Sequence, residues 1–350
     1  MSNHSPDDSY KLFAAQVLLK RLQALSKEIE GVRKAEDIEF IHRMRVATRR
    51  IRAALALFEG CFPKKDVINW NRQVKRITSS LGAARDLDVQ IDFLEKYLAD
   101  QADASHRLGV ERLLLRLRQQ RENLQPDVVD ALERLEKSSV ITEMDEAFRQ
   151  QVVHARLHGI SDHSPYVYLE AYRNIMLRLE QMLAYDVYVY QPECITQHHS
   201  MRIAAKKLRY VIEVYEPLYN GDLKQPLSDV KDIQEKLGEI HDADVWLDFL
   251  PFFQQQEKQR TIDFFGNHKP FTRLVPALQH LAENRREFRV ETHKQFVKLW
   301  KELESKKVWE SLRTALQGNA ERAEDHLAQA GPESGSADKE ESPADQPALG

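Results

Sequence analysis

Apolar residues recur at spacings of three and four along nearly the whole chain, and no segment alternates as a half-buried strand would. The pattern predicts an all-α protein. A first helix is expected over about 9–30, with Leu12, Val17, Leu18, Leu22 and Leu25 facing inward. A second covers about 36–58, stopped by Gly60 and Pro63. A third runs over about 67–81, followed by Arg85-Asp86-Leu87-Asp88 and a helix through Tyr97. Helices over about 105–123 and 127–157, separated by Pro126, follow. After a linker at 158–165, helices are predicted over 166–184, 196–215 and 226–237, with a turn into 245–255. Two long helices, about 269–289 and 291–316, complete the pattern.

The same unit is written twice. HRMRVATRRIR, from His42 to Arg52, is echoed by HSMRIAAKKLR, from His199 to Arg209. LGAARDLDVQIDFL at Leu81 is echoed by LGEIHDADVWLDFL at Leu237. Val74, Lys75 and Ile77 reappear as Val230, Lys231 and Ile233. The offset is 157 residues for the first motif and 156 for the second. Such a small drift implies a duplicated unit, with one half over about 9–157 and the other over about 165–317. Each half reads as an up-and-down four-helix bundle, and the pair as two pseudo-symmetric bundles.

Composition changes near the end. From Gly318 the chain carries eight acidic and two basic residues and no aromatic residue, so 318–350 is expected to be a disordered acidic tail. Removing its charge of −6 from the total of −4 leaves about +2 on 1–317. The tail is a candidate contact for a protein partner. Two cysteines at non-equivalent positions, Cys61 and Cys194, do not suggest a disulfide framework. The N-terminal residues lack the apolar core of a signal peptide, and no apolar run approaches the roughly 20 residues of a membrane span. A soluble cytoplasmic protein is expected.

On a helix, His42, Arg45, Arg49 and Arg52 fall on one stripe, opposite Met44, Ala47, Ile51, Ala54, Leu55 and Phe58. His199, Arg202, Lys206 and Arg209 repeat the stripe, with Met201, Leu208, Ile212 and Tyr215 on the apolar side. Arg50 and Lys207 flank it. Neither segment contains an acid, so its cations repel at about 0.2–0.5 kcal/mol per exposed pair. A solvated face would normally interleave acids. The duplicated absence points instead to an anionic partner gripped from two related sides. Lys75 and Lys231, with Arg72, are expected to face the same cavity. Asp86, Asp88, Asp242 and Asp244, with His241, offer oxygen ligands at D-x-D spacing for a metal. The favoured reading is that these carboxylates orient arginines or cap the helix that follows. Cationic neighbours make His42 and His199 better phosphate hydrogen-bond donors than zinc ligands. His198, outside the repeated pattern, reads as surface.

These residues resemble the signature of the CHAD family, the conserved histidine α-helical domain. The resemblance rests on H-x-M-R-V-A-T-R-R-I-R at His42, H-x-M-R-x-x-x-K-K-L-R-Y at His199, and L-G-x-x-[RH]-D-x-D-V at Leu81 and Leu237. It implies two four-helix bundles enclosing a central basic pore that binds inorganic polyphosphate, with association to polyphosphate granules. Matched by motif position, the implied binding residues are His42, Arg45, Arg49, Arg50, Arg52 and Lys75 in one half. In the other they are His199, Arg202, Lys206, Lys207, Arg209 and Lys231, with Arg85 a weaker candidate because its counterpart is His241. Glu302, Glu304 and Lys306 match the E-x-E-x-K spacing of CYTH domains but fall inside a predicted helix, so a stand-alone CHAD domain is expected.

Binding without catalysis and without a cofactor is the leading expectation. A metal-dependent enzyme acting on phosphate esters or polyphosphate is the main alternative, although no G-x-x-x-x-G-K-[ST] loop occurs. Binding of a nucleic-acid backbone is third, because the basic segments interleave few aromatic residues for base stacking.

Overall fold

The computed structural model describes residues 6–34, 38–100 and 103–330, and the chain is all-α. The described helices are α1 (Asp8–Ser26), α2 (Ile29–Lys34), α3 (Ile38–Leu57), α4 (Lys64–Ala99), α5 (Leu108–Lys137) and α6 (Val140–Leu157). They continue as α7 (Pro165–Leu183), α8 (Ile195–Tyr215), α9 (Lys224–Phe265), α10 (Lys269–Thr272), α11 (Val275–Ser305) and α12 (Val308–Ala330). No described helix is long and apolar enough to cross a membrane.

Packing follows the order of the sequence repeat. In the first half α1 packs on α3 and α6, α3 on α4, and α4 on α5. In the second, α7 packs on α8 and α12, α8 on α9, and α9 on α11. The two basic helices, α3 and α8, also touch, as do α1 and α7. Where α1 and α7 begin, the caps of the two helices bond to each other. Asp7 caps α1 through the Tyr10 amide, Ser164 caps α7 through the Val167 amide, and the Ser164 hydroxyl donates to Asp7 at 3.0 Å. Beside them Tyr10 shares a hydrogen bond with Tyr215 and meets Phe58 and Tyr166 edge-on.

One apolar core runs through both halves and includes Met44, Ile51 and Leu55 of α3 and Met201, Leu208 and Ile212 of α8. The inward faces predicted for the basic helices are therefore the buried ones. A second, smaller core forms where the two long hairpins meet, from Leu94 of α4, Leu113 of α5, Trp246 of α9 and Leu281 of α11. The stretches 85–90 and 241–245 bridge these cores on α4 and α9.

Three expected breaks are absent. α4 and α9 pass through the D-x-D segments without a turn, because the apolar stripe Val74, Ile77, Leu81, Ala84 continues in register through Asp88 to Leu94. The carboxylates therefore sit in helix interiors and do not cap a following helix. Pro126 lies within α5, not at its end. Its N-terminal half is anchored in the small core by Leu113 and Leu117, and its C-terminal half in the large core by Val128 and Leu132. Tertiary packing on both sides holds the helix across the residue that weakens it. Pro251 also lies inside α9, beside Leu250 and Phe253 of the small core. The last expected helices are also redivided, with a break at 306–307 and α12 running past Gly318 to Ala330. The expected disordered tail thus begins as helix, and 331–350 lie outside the described residues.

Asp88 and Asp244 occupy equivalent buried positions and each meets an arginine from the next long helix. Arg121 of α5 donates to Asp88 at 2.7 Å, and Arg289 of α11 donates to Asp244. Burial raises the Asp88 carboxyl pKa in spite of that cation. Replacing Arg121 by Met should leave Asp88 buried without a partner and cost about 3 kcal/mol in urea denaturation. The double substitution Arg121→Met with Asp88→Leu should recover most of that loss, because it removes the stranded charge as well as the pair.

Candidate functional site

The basic stripes of α3 and α8 face each other across a cleft. Arg45 and Arg49 on α3 act electrostatically on Arg202 and Lys206 on α8, so four cations converge from two halves of the chain. Among the described residues, no acid lies within 4 Å of the charged nitrogens of Arg202 or Lys206. Burial and the four surrounding arginines push the Lys206 ammonium down to about 8. Burial lowers Arg45 and Arg202 as well, against the opposing fields of Asp86 and Asp242 respectively. Asp242 is accessible to solvent yet crowded by protein, and burial raises its carboxyl pKa. That combination belongs to the wall of a concavity.

The carboxylates of each D-x-D pair point to different partners. Arg45 donates to Asp86 at 3.3 Å, whereas Asp88 is turned toward α5. Asp242 lies in the field of Arg202, whereas Asp244 is turned toward α11. The pairs orient arginines, as the favoured reading held. Among the described residues no group of three or more His, Cys, Asp or Glu side chains is arranged to hold a metal ion.

The histidines flank the cations on both sides. His199 and His241 approach at 3.2 Å between Nδ1 atoms, a hydrogen bond that requires at least one ring to be neutral there. Burial and Arg202 push His241 down to about 4, and burial with Arg202 lowers His199. His42 is lowered by burial and by Arg85 of α4, which lies 3.9 Å from Glu39. Arg85 and His241 thus occupy equivalent places and act on equivalent histidines. His198 corrects an expectation: it is buried on the core side of α8, where its Nε2 lies 2.9 Å from the Tyr188 carbonyl.

A cavity of about 300 Å³ lies between α3 and α8, sharing Arg49 and Lys206 with the four converging cations. Arg49, Arg50, Arg52, Lys206 and Lys207 border it, and Ala53, Leu57, Val211 and Val214 supply its apolar part. Two further arginines, Arg21 of α1 and Arg178 of α7, complete the ring. Sequence reasoning missed both, although they are separated by the same 157 residues as His42 and His199. It also missed Tyr210 and Glu213, which stand where the first half has Ala53 and Ala56. The Tyr210 hydroxyl accepts from Arg49 Nε and Nη2 at 3.1 and 2.6 Å. Glu213 accepts from Arg50 at 3.1 Å and lies 3.6 Å from Arg209. The buried Nε atoms of Arg50, Arg202 and Arg209 make no hydrogen bond within the described protein, although that of Arg209 keeps its ion pair with Glu213. Arg52 donates to Asn71 of α4 at 3.0 Å. Lys75 and Lys231 are exposed on α4 and α9 and do not border this cavity.

The arrangement favours a multiply charged anion over a single carboxylate. Forked guanidinium donors, a lysine and neutral imidazoles line a path longer than one ionic contact, and phosphate oxygens suit such donors.

Comparison with known proteins agrees with the fold. The crystal structure of the CHAD domain from the plant Ricinus communis superposes with a TM-score of 0.53 at 20% identity, covering 81% of this chain and 91% of that one. PptA from Streptomyces chartreusis gives a TM-score of 0.53 at 12% identity, covering 83% of this chain and 99% of that one. No curated protein matches the sequence. The family model of the CHAD domain matches residues 16–251, a span that holds both basic helices and both D-x-D segments, and the chain therefore belongs to the CHAD domain family.

Proposed function

We propose that the protein binds inorganic polyphosphate in the cleft between α3 and α8 and does not turn it over. The observation that carries this reading is the convergence of Arg45, Arg49, Arg202 and Lys206, with no acid within 4 Å of Arg202 or Lys206 among the described residues. Like charges held together at the expense of their own ionisation are stabilised when a polyanion enters. A linear chain of phosphates can extend along the facing stripes, and Arg202 and Lys206, which have no acid within 4 Å among the described residues, supply donors for its oxygens. His42, His199 and His241 donate at the ends. Cytoplasmic polyphosphate granules are the setting this reading implies. Few aromatic side chains accompany the cations, which disfavours stacking of nucleic-acid bases.

Titration with long-chain polyphosphate, with orthophosphate and duplex DNA as controls, tests the reading. Saturable binding selective for polyphosphate is expected, with affinity falling steeply between low and near-physiological salt. Equal affinity for DNA would reduce the cleft to general electrostatics. Arg49→Glu combined with Lys206→Glu should weaken binding at least about a hundredfold, because two attractions become repulsions at the centre of the cleft. Unchanged affinity in this folded variant would place the site elsewhere.

Protonation should be linked to binding. In the free protein Lys206 titrates at about 8, and phosphate beside it restores the ammonium toward the ordinary lysine range. Below pH 8 the group is already charged in both states, so this contribution is constant. As pH rises above about 8, binding must take up a proton and affinity falls, by at most about tenfold per pH unit. Lys206→Arg stays charged and should abolish that decline in binding measured from pH 7 to 10. Below about pH 6.5, proton uptake by His199 and His241 should strengthen binding again.

A further inference from the structure

The second half carries an addition that the repeat does not require. At the 156-residue offset, the last residue of α4, Ala99, corresponds to Gln255, yet α9 continues to Phe265. The family match ends at residue 251. This extra stretch holds Glu257, only 2% exposed, enclosed by three arginines. Arg116 of α5 donates to its carboxylate through Nε at 3.0 Å and Nη2 at 3.2 Å, with Arg112 at 3.4 Å and Arg260 at 3.3 Å. Thr261, buried beside it, donates to the Glu257 carbonyl at 2.8 Å.

One carboxylate cannot balance three guanidinium groups. Arg116 is engaged by two bonds to Glu257 and a third to Gln119, whereas Arg112 and Arg260 are each tied at one nitrogen and are partly exposed. Their remaining N–H groups border a cavity of about 440 Å³ between α5, α9 and α10. Its far wall is apolar, formed by Phe264, Phe265, Pro270 and Leu274. Phe264 is 82% exposed and Phe265 56%, and the two rings meet edge-on at 4.8 Å. Two adjacent, largely exposed phenylalanines are costly on a soluble surface and mark a place of contact. The crevice therefore offers oriented donors for an anion next to aromatic area, the composition of an interface hot spot.

We propose that this crevice docks an acidic segment of a partner protein, with a carboxylate side chain on Arg112 and Arg260 and a neighbouring apolar side chain over Phe264 and Phe265. Polyphosphate has no apolar surface to cover the phenylalanines. A lipid surface would cover them but would leave the recessed arginine cluster around Glu257 without a use. A peptide segment satisfies both parts at once, and planar forked donors fit its carboxylates.

The test uses the full chain and a short fluorescent peptide alternating glutamate with leucine and phenylalanine, read by anisotropy. A peptide with glutamine in place of glutamate and vesicles of anionic phospholipid are compared with it. The acidic peptide should bind saturably, and the glutamine peptide at least tenfold more weakly. Arg112→Gln with Arg260→Gln, and separately Phe264→Ser with Phe265→Ser, should each weaken binding at least tenfold. The phenylalanines are exposed, so their replacement leaves the fold intact and keeps the test valid if the arginine variant melts early. The cleft variant Arg49→Glu with Lys206→Glu should bind the peptide as the unaltered chain does, and long-chain polyphosphate should not displace it. No peptide binding, peptide binding unaffected by both crevice variants, loss in the cleft variant, or phenylalanine-dependent attachment to vesicles in its place would each overturn the proposal. Polyphosphate titration of the same variants is read independently, so failure of either site leaves the other result standing.

Discussion

Mutual repulsion across the α3–α8 cleft is the interaction that the rest of the structure has to withstand. Arg45, Arg49, Arg202 and Lys206 are held facing one another although burial and proximity drive Lys206 down to about 8. The restraint comes from behind the stripes. Met44, Ile51 and Leu55 anchor α3, and Met201, Leu208 and Ile212 anchor α8, in a core continuous through both halves. Tyr10, Tyr215 and Phe58 lock the ends of these helices against α1. At the other extreme the small core around Leu94, Leu113, Trp246 and Leu281 ties the hairpins together. Hydrophobic burial is non-directional and large in sum, so it can impose an arrangement in which like charges face one another.

Buried ion pairs make that restraint specific. Asp88 and Asp244 interrupt apolar stripes that would otherwise allow α4 and α9 to slide along their neighbours. Each requires its own arginine, Arg121 or Arg289, from the next long helix. A pair of this kind adds little net stability, but any displacement that separates it strands a charge. The neighbouring Asp86 and Asp242 face the cleft instead, in the fields of Arg45 and Arg202. Two residues apart on a helix, the members of each D-x-D point in different directions, one toward the frame and one toward the site.

Much of this could be read in the sequence. The 157-residue echo of the basic motif identified both stripes, and three-and-four spacing gave their buried faces correctly. The D-x-D segments were misread as turns because aspartate and glycine are poor helix residues locally, while the register that carries Val74, Ile77, Leu81 and Ala84 on through Asp88 spans a longer window. Pro126 was misread for a related reason, whereas the helix expected over 245–255 already ran through Pro251. The helix of Pro126 is held by two cores at once, and that fact belongs to tertiary packing alone. Arg21 and Arg178 lay within reach of the same offset argument, but each is one charged residue among several on an ordinary amphipathic helix and signals nothing without its partner across the cavity.

The differences between the halves follow from one rule. A duplicated unit can keep its packing and still diverge wherever a side chain faces the cleft or extends past the shared frame. In the cleft, Tyr210 and Glu213 replace Ala53 and Ala56, fill space on one side, and hold Arg49 and Arg50 from the opposite helix. Arg85 and His241 exchange a permanent cation for a titratable one beside equivalent histidines. A symmetric pair of stripes would present the same charge from either side. These substitutions place more fixed positive charge beside His42 and more proton-dependent charge beside His199. An extended anion lying across both would therefore meet two electrostatically distinct ends, one with a permanent cation beside its histidine and one where the neighbouring charge also depends on proton uptake as the ligand arrives.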